Sequence, residues 1–288
     1  MTTSPAPTPE LRLLVDNVDF GEGPRWHDGR LWFSDFHTHR VQAMDEDGNA
    51  ETIVEVPRRP SGLGWLPDGR LLVVSMQDRR LMRLDPGGLV EHADLNGVAT
   101  FDCNDMVVDG QGRAYVGNFG YDFAHGEVPK PAALALVTPD GAVSAAADDL
   151  MFPNGTVITP DGSTLIVGET FGHRLTAFDI AADGTLSNRR VWADLDRVTP
   201  DGICLDEAGG IWVADPTHHQ CVRVVEGGEI SDRIPTERAC FACMLGGADR
   251  RTLYLVTGDL SGDEATLLEQ RPGRIESVRV EVPGAGWP

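Results

Sequence analysis

The hydrophobic and polar positions of this chain repeat in short alternating blocks. In one block the apolar stretch Ile203-Cys204-Leu205 is followed by a glycine turn and then by the strand-like run Ile211-Trp212-Val213-Ala214. The same order recurs around Pro160-Asp161-Gly162 and Pro67-Asp68-Gly69. Short runs separated by Gly-containing turns are typical of antiparallel strands. No stretch shows helical periodicity over about ten residues, so the pattern predicts an all-β chain.

The second apolar strand of each block supplies a period. These strands begin near Leu31, Leu71, Ala114, Leu165, Ile211 and Leu253. Intervals of roughly 40 to 50 residues, repeated over six all-strand units, favour a six-bladed β-propeller with four-stranded blades around a central channel. A two-sheet sandwich is the structural alternative, but radial closure hides the sheet edges that a sandwich leaves open.

The ends of the chain complete this picture. Residues 1–10 are rich in Thr, Ser and Pro, and we expect a flexible tail followed by one propeller domain over residues 11–288. Residues 11–15 are expected to pair with a strand near residues 277–282, which closes the ring. The third unit is the longest, and its extra residues, 121–130, are expected to form a loop on a binding face.

Composition narrows the classes of function. The chain has 288 residues, 41% of them hydrophobic, and a net charge of −21, which argues against nucleic-acid phosphates as partners. No apolar run is long enough to cross a membrane, and the first residues lack the pattern of a signal peptide, so we expect a cytoplasmic protein. The five cysteines do not resemble a disulfide framework. The pair Cys240 and Cys243 has no partner pair and is interpreted as buried thiols.

Equivalent positions of the units meet around a propeller's channel. At the entrance of the first strand, four units carry oxygen donors: Glu22, Asn104, Asn154 and Asp201. Crowded polar side chains are costly without a partner, and a hard divalent cation is the natural one. We rank Ca²⁺ first, with Mg²⁺, Mn²⁺, Zn²⁺ and Fe²⁺ as alternatives. Taken singly, an Asn or Asp before glycine is better explained as a turn residue; the metal is favoured because all four donors stand at equivalent positions.

Several short motifs together resemble one known family. They are Gly21-Glu22-Gly23-Pro24, Asn104-Asp105, Pro153-Asn154-Gly155, Asp201-Gly202 and the closing Val282-Pro283-Gly284-Ala285-Gly286. The chain is similar, from residue 11 onward, to the SMP-30/gluconolactonase/LRE family of regucalcin-like six-bladed propellers. The resemblance implies that Glu22, Asn154 and Asp201 match the family's metal ligands and that Asn104 contacts the metal or the substrate. The family's usual activity is hydrolysis of sugar lactones and related esters.

One position departs from the family's pattern. Sugar lactonases of this type commonly carry an arginine two residues before Asn104, where this chain has Asp102. An aspartate accepts hydrogen bonds but does not donate them, so a less hydroxylated or positively charged ester is expected in place of a plain aldonolactone. Asp122 is close to the family's acidic substrate-contacting position. We therefore expect Asp102, Asn104, Tyr121 and Asp122 to bind the small-molecule lactone or ester.

The hypothesis is a metal-dependent lactone hydrolase in which the cation stabilises the oxyanion and Asp201 orients or deprotonates the attacking water. Two alternatives remain on the same fold. One is a different metal-assisted reaction, either organophosphate hydrolysis or a cyclisation in secondary metabolism; the other is a non-catalytic scaffold, which has no need of converging carboxylates. His125, His218 and His219 are candidate bases, but solvated loop imidazoles are the simpler interpretation.

Overall fold

The computed structural model describes residues 10–259 and 264–285. Within these residues the chain forms 24 strands in six four-stranded sheets, which confirms the six-bladed all-β fold. The expected tail, residues 1–10, lies outside the described residues except for Glu10, and so does Gly286 of the closing motif. No helix within the described part of the chain is long and apolar enough to cross a membrane.

The first three blades take their strands in chain order, and each strand pairs antiparallel with the next. Blade 1 contains β2 (Gly21–His27), β3 (Arg30–Asp35), β4 (Arg40–Met44) and β5 (Ala50–Glu55). Blade 2 contains β6 (Pro60–Trp65), β7 (Leu71–Ser75), β8 (Arg80–Asp85) and β9 (Gly88–Asp94). Blade 3 contains β10 (Cys103–Val108), β11 (Ala114–Asn118), β12 (Ala132–Val137) and β13 (Val143–Leu150).

The remaining blades follow the same plan, except that the last one borrows a strand from the start of the chain. Blade 4 contains β14 (Pro153–Ile158), β15 (Thr164–Glu169), β16 (Arg174–Ile180) and β17 (Leu186–Asp194). Blade 5 contains β18 (Ile203–Leu205), β19 (Ile211–Asp215), β20 (Gln220–Val224) and β21 (Ile230–Pro235). Blade 6 contains β22 (Ala239–Gly246), β23 (Thr252–Gly258), β24 (Gly273–Arg279) and β1 (Arg12–Val18).

The predicted closure of the ring is confirmed. Strand β1 pairs antiparallel with β24, with Arg12 opposite Ser277 and Leu13 opposite Glu276. The second strand of every blade begins within one residue of its predicted start. A helix, α1 (Glu264–Gln270), and two 3₁₀ turns, Phe123–His125 and Thr170–Gly172, were not predicted. Each is shorter than the window over which helical periodicity is visible in a sequence.

Apolar side chains fill the spaces between neighbouring blades. Between blades 1 and 2, for example, Val41, Leu63 and Val73 belong to one cluster and are fully buried. Trp26 stacks on Tyr254 across the junction of blades 1 and 6, with ring centroids 5.6 Å apart. This packing holds the first strands of the blades side by side around the channel.

The first strands approach each other most closely at their entrances. A β-carbon added at Gly155 would lie 2.5 Å from the carbonyl oxygen of Asp201, and one added at Gly202 would lie 2.6 Å from the β-carbon of Ala242. Only glycine permits this approach. The N–H groups of Gly155 and Gly202 donate to the carbonyls of Asp201 and Phe241, at 3.2 and 2.8 Å. The Asn-Gly and Asp-Gly pairs of the sequence therefore mark contacts between blades.

Candidate functional site

Six equivalent positions, one from each blade, lie at or next to the beginnings of the first strands. We call this set the mouth ring: Glu22, Ser61, Asn104, Asn154, Asp201 and Phe241. The four expected oxygen donors among them are 3–8% exposed. Glu22, Asn104 and Asn154 lie inside strands β2, β10 and β14, so the interpretation of these residues as turn residues is wrong.

Asn154 is held between two other blade residues. Its Nδ2 donates to Asp201 Oδ1 at 2.6 Å and to Thr170 Oγ1 at 3.2 Å. The Thr170 hydroxyl in turn donates to the carbonyl of Pro200 at 2.8 Å. This chain of hydrogen bonds fixes the amide so that its nitrogen faces Asp201. The Asn154 oxygen is thereby left for another partner.

Three buried polar atoms of the mouth ring have no hydrogen-bond partner in the protein. They are Ser61 Oγ, Asn104 Nδ2 and Asn154 Oδ1. Buried polar groups are nearly always satisfied, so such atoms call for a ligand, an ion or a water. An amide oxygen suits a hard cation. An amide N–H₂ suits a substrate oxygen instead, which matches the expectation that Asn104 contacts the metal or the substrate.

The two carboxylates of the mouth ring share a strongly unfavourable environment for charge. Burial, followed by the negative charges of Asp201 and Asp105, raises the pKa of Glu22 well above its usual value. Burial raises the pKa of Asp201 to about 8, and the hydrogen bond from Asn154 only partly opposes this. A cation between the two groups would remove the penalty that both pKa shifts express.

A buried ion pair lies next to the mouth ring, further along strands β2 and β10. Arg25 Nη2 is 2.6 Å from Asp105 Oδ1, and both side chains are 4% exposed. The same guanidinium donates to the carbonyls of Pro24 and Met106. Arg25 also lines the cleft at the opposite end of the channel. Asp105 thus has a direct ion-pair partner, whereas Arg25 offsets the charge of Glu22 only in part.

The mouth ring therefore fits a divalent cation by its donor chemistry. Within residues 10–259 and 264–285, no three His, Cys, Asp or Glu side chains are grouped so that they could hold a metal. The expected set does not need such a group, because only Glu22 and Asp201 are carboxylates and the other donors are amides. Two negative charges with neutral oxygen ligands suit Ca²⁺, Mg²⁺ or Mn²⁺ better than zinc.

Asp102 has neighbours that the sequence did not reveal. It is half-buried directly before β10, and burial raises its pKa, while Arg59 and Arg79 from blade 2 oppose that rise. Asp122 adds negative charge nearby and raises the pKa further. Asp102 thus lies within the electrostatic influence of two arginines from the neighbouring blade.

Tyr121 and Asp122 lie in the loop after β11. Tyr121 is only 4% exposed and packs near Phe152 and Phe171, with ring centroids 6.4 and 6.3 Å away. Asp122 caps the 3₁₀ turn: its carboxylate accepts from the backbone N–H of His125 at 3.2 Å and contacts His125 Nδ1 at 2.8 Å. The Asp122 carboxylate therefore holds the loop in shape.

The three candidate histidines and the five cysteines lie outside the mouth ring. The His125 side chain is 85% exposed, and His218 contacts the buried Asp215 at 2.8 Å. His219 lies on the surface against the carbonyl of Glu237. All five cysteines are free and buried, which confirms that they form no disulfide framework.

Comparison with known proteins identifies the family. Residues 20–259 match the model of the SMP-30/gluconolactonase/LRE-like region. The chain belongs to the SMP-30/gluconolactonase/LRE-like family. The resemblance inferred from Glu22, Asn104, Asn154 and Asp201 is thereby confirmed at the level of the family.

Members of this family with curated names span nearly the same length. The chain is 28% identical to the pentonolactonase XacC of Haloferax volcanii over 88% of this chain and 86% of the relative. It is also 28% identical to the 6-deoxy-6-sulfogluconolactonase of Pseudomonas putida, over 93% and 94%. The crystal structure of the calcium-binding protein regucalcin from Agrobacterium tumefaciens superposes with a TM-score of 0.81 at 22% identity, covering 97% of each chain. That structure supports the fold.

Two residues of the site were not expected from the sequence. Thr170 anchors Asn154 from the end of the second strand, and Arg25 pairs with Asp105 across blades. Neither position repeats from blade to blade, so the repeat gave no signal for them. Arg25 was nevertheless visible as a cation three residues after Glu22 on the same strand.

Proposed function

We propose that this chain hydrolyses a lactone with the help of a divalent cation bound at the mouth ring. Glu22, Asn154 and Asp201 would hold the ion, and Asn104 lies beside it. The observation that carries the proposal is the pair of buried carboxylates Glu22 and Asp201, whose pKa values burial raises, next to the unpartnered amide oxygen of Asn154. Ca²⁺ is the first choice for such mixed carboxylate and amide oxygens.

The reaction class is supported by the curated relatives. Two proteins of matching length, at 28% identity, are named as lactonases. A bound divalent cation supplies Lewis-acid stabilisation for the oxygen that becomes negative when the lactone carbonyl is attacked. The remaining tasks fall to side chains: placing the carbonyl, orienting the water and taking its proton.

We assign the proton transfer to Asp201. Asn154 donates to Oδ1 of this carboxylate at 2.6 Å, so Oδ2 is the atom we assign to the water. The same hydrogen bond fixes the carboxylate plane, which is what a positioned base requires. The Nδ2 group of Asn104 is buried without a protein acceptor and is suited to donate to the lactone.

Substrate selection is assigned to residues on the rim of the same opening. Asp102, Tyr121 and Asp122 lie on either side of β10 and β11, and the N–H of Phe119 donates to the Asp102 carbonyl at 2.9 Å. Because Asp102 lies within the electrostatic influence of Arg59 and Arg79, its charge is partly offset. It is suited to accept a hydrogen bond from the substrate.

Removal of the metal tests the proposal. Protein dialysed against a chelator is expected to lose hydrolysis of a lactone panel, measured by proton release, and to regain it with Ca²⁺, Mg²⁺ or Mn²⁺. Asp201→Asn is expected to lower kcat by at least about 100-fold in the presence of metal, while Asp102→Ala, on the same rim, lowers it far less. Full activity in stripped protein would remove the metal from the mechanism.

A further inference from the structure

Aromatic side chains cluster beside the mouth ring. We call five of them the aromatic wall: Phe119, Tyr121, Phe123, Phe152 and Phe171. They come from three separate segments, after β11, before β14 and after β15. Phe119 stacks on Phe152 with ring centroids 4.5 Å apart, and Phe171 meets Phe152 edge-on at 5.0 Å. Rings from distant parts of the chain thus form one apolar surface.

The aromatic wall is continuous with the mouth ring. Phe152 is two residues before Asn154, and its carbonyl accepts from the N–H of Thr170 at 3.1 Å. Phe119 packs against the apolar cluster that contains Phe241, the mouth-ring residue of blade 6. A molecule whose reacting group lies among the ring's polar atoms therefore has the wall at its side.

Part of this surface faces solvent. Phe123 is 46% exposed and Phe171 is 43% exposed, although Phe152 behind them is only 5% exposed. Phe152 has a left-handed backbone with φ of 60°, a conformation that large residues rarely adopt. The strained backbone of Phe152 therefore occurs at the position where its ring packs among the other rings of the wall. Exposed aromatic surface beside a polar site is typical of a ligand-binding surface.

The chemistry of the aromatic wall excludes some substituents and favours others. Hydroxyl groups placed against aromatic rings lose hydrogen bonds to water unless a protein partner replaces them. Apolar carbon gains by the same contact, because it leaves water. Asp122, which follows Tyr121 of the wall in the chain, adds negative charge nearby and disfavours an anionic substituent. An uncharged aryl or alkyl group meets neither penalty.

We propose that the aromatic wall binds an apolar substituent of the lactone, so that the substrates are aryl- or alkyl-substituted lactones in preference to polyhydroxylated ones. This inference rests on the proposed lactone hydrolysis and specifies its substrate class. The exposed rings Phe123 and Phe171 make the contact, and the buried ring Phe152 supports them. The lactone carbonyl lies toward the mouth ring, and its substituent points toward blades 3 and 4.

The test compares six-membered lactones that differ only in what they carry. δ-Phenyl-δ-valerolactone carries an aryl ring, δ-nonalactone an alkyl chain, δ-valerolactone no substituent and gluconolactone several hydroxyls. Wild-type protein with Ca²⁺ is expected to show kcat/KM at least about tenfold higher for the first two than for δ-valerolactone, since a few buried carbons supply that much discrimination. Gluconolactone is expected to be the poorest of the four.

Variants assign the preference to the wall. Phe171→Ala and, separately, Phe123→Ala are expected to raise KM for δ-nonalactone about tenfold and to change kcat/KM for δ-valerolactone much less. Both side chains are partly exposed, so folding is expected to survive. Val191→Ala is the matched control, because Val191 is 59% exposed on the outermost strand of blade 4. This variant is expected to leave KM and kcat/KM unchanged for both substrates.

Binding of the lactam analogue of δ-phenyl-δ-valerolactone, followed by calorimetry, separates the two proposals. If the wild-type protein hydrolyses gluconolactone best and Phe171→Ala has no effect, the proposed substrate class is wrong, but the proposed lactone hydrolysis is still supported. Protein that binds the lactam through Phe171 but hydrolyses no lactone supports the apolar subsite and contradicts the proposed reaction. If Phe171→Ala and Phe123→Ala bind the lactam as tightly as the wild type does, the proposed apolar subsite is wrong.

Discussion

Replacing Asp201 by Asn is expected to stabilise the metal-free protein at neutral pH. Asp201 is 8% exposed, and burial raises its pKa from 3.8 to about 8. The folded metal-free protein therefore keeps a proton that the unfolded chain releases. With the folded pKa above the unfolded pKa, the free energy of unfolding falls as pH rises from about 4 to about 8. An asparagine does not titrate, so it escapes this loss.

The size of the effect follows from the shift. At pH 7 the unfolded carboxylate is ionised and the buried one is mostly protonated, which corresponds to about 4 kcal/mol for one group. For a chain of this length that is a difference in Tm of about 7 °C. Near pH 4 the unfolded carboxylate is about half protonated and the difference falls below about 1 kcal/mol, so the pH series contains its own control.

The assay is calorimetric unfolding of chelator-treated wild type and Asp201→Asn between pH 4 and 8, repeated with excess Ca²⁺. Calcium is expected to raise the Tm of the wild type strongly and that of the variant little. Asp215→Asn is a matched control, since Asp215 is equally buried but accepts from Thr199 and Gln220. It is expected to destabilise at every pH.

Two results would refute this reasoning. Metal-free wild type that is as stable at pH 8 as at pH 5 would show that Asp201 carries no burial penalty. An Asp201→Asn variant that gains as much Tm from calcium as the wild type would show that this carboxylate does not hold the ion.

Three further predictions concern the same opening. Asp102→Arg is expected to raise kcat/KM for gluconolactone relative to δ-nonalactone, because an arginine donates to hydroxyls; an unchanged ratio in steady-state assays would mean that position 102 does not contact the substrate. Thr170→Val removes one anchor of the Asn154 amide and is expected to weaken calcium binding several-fold by calorimetry, whereas Thr170→Ser should retain it. Because burial raises the pKa of both Glu22 and Asp201, ion binding is expected to release protons and to tighten as pH rises toward about 8, which calorimetry in two buffers of different ionisation enthalpy would detect.

Much of the fold could be predicted because the sequence of a propeller repeats one hydrophobic pattern in each of its six blades. The second strands, the ring-closing pair β1 and β24, and the six mouth positions all follow from the repeat. Closure places equivalent residues together, so Asn154 and Asp201 could be expected to meet although they are 47 residues apart. The short helix α1 could not be predicted because seven residues are too few to show a helical periodicity.

The parts of the site that break the repeat could not be predicted. The aromatic wall draws Phe119, Phe152 and Phe171 from three loops that occupy different positions in their blades. Their meeting depends on loop paths, which hydrophobic alternation does not encode. Arg59 lies before blade 2 and offsets the charge of Asp102 before blade 3 for the same reason. Only the three-dimensional arrangement shows that Asp102 has a cationic neighbour.

The central claim is that Glu22, Asn154 and Asp201 together hold a divalent cation. A crystal of active protein grown with Mn²⁺, measured at a wavelength where manganese scatters anomalously, tests it most directly. We predict one strong anomalous peak within about 2.0–2.6 Å of oxygens from all three side chains, absent from crystals of Asp201→Asn. Active crystals whose anomalous peaks all lie away from these residues would contradict the account.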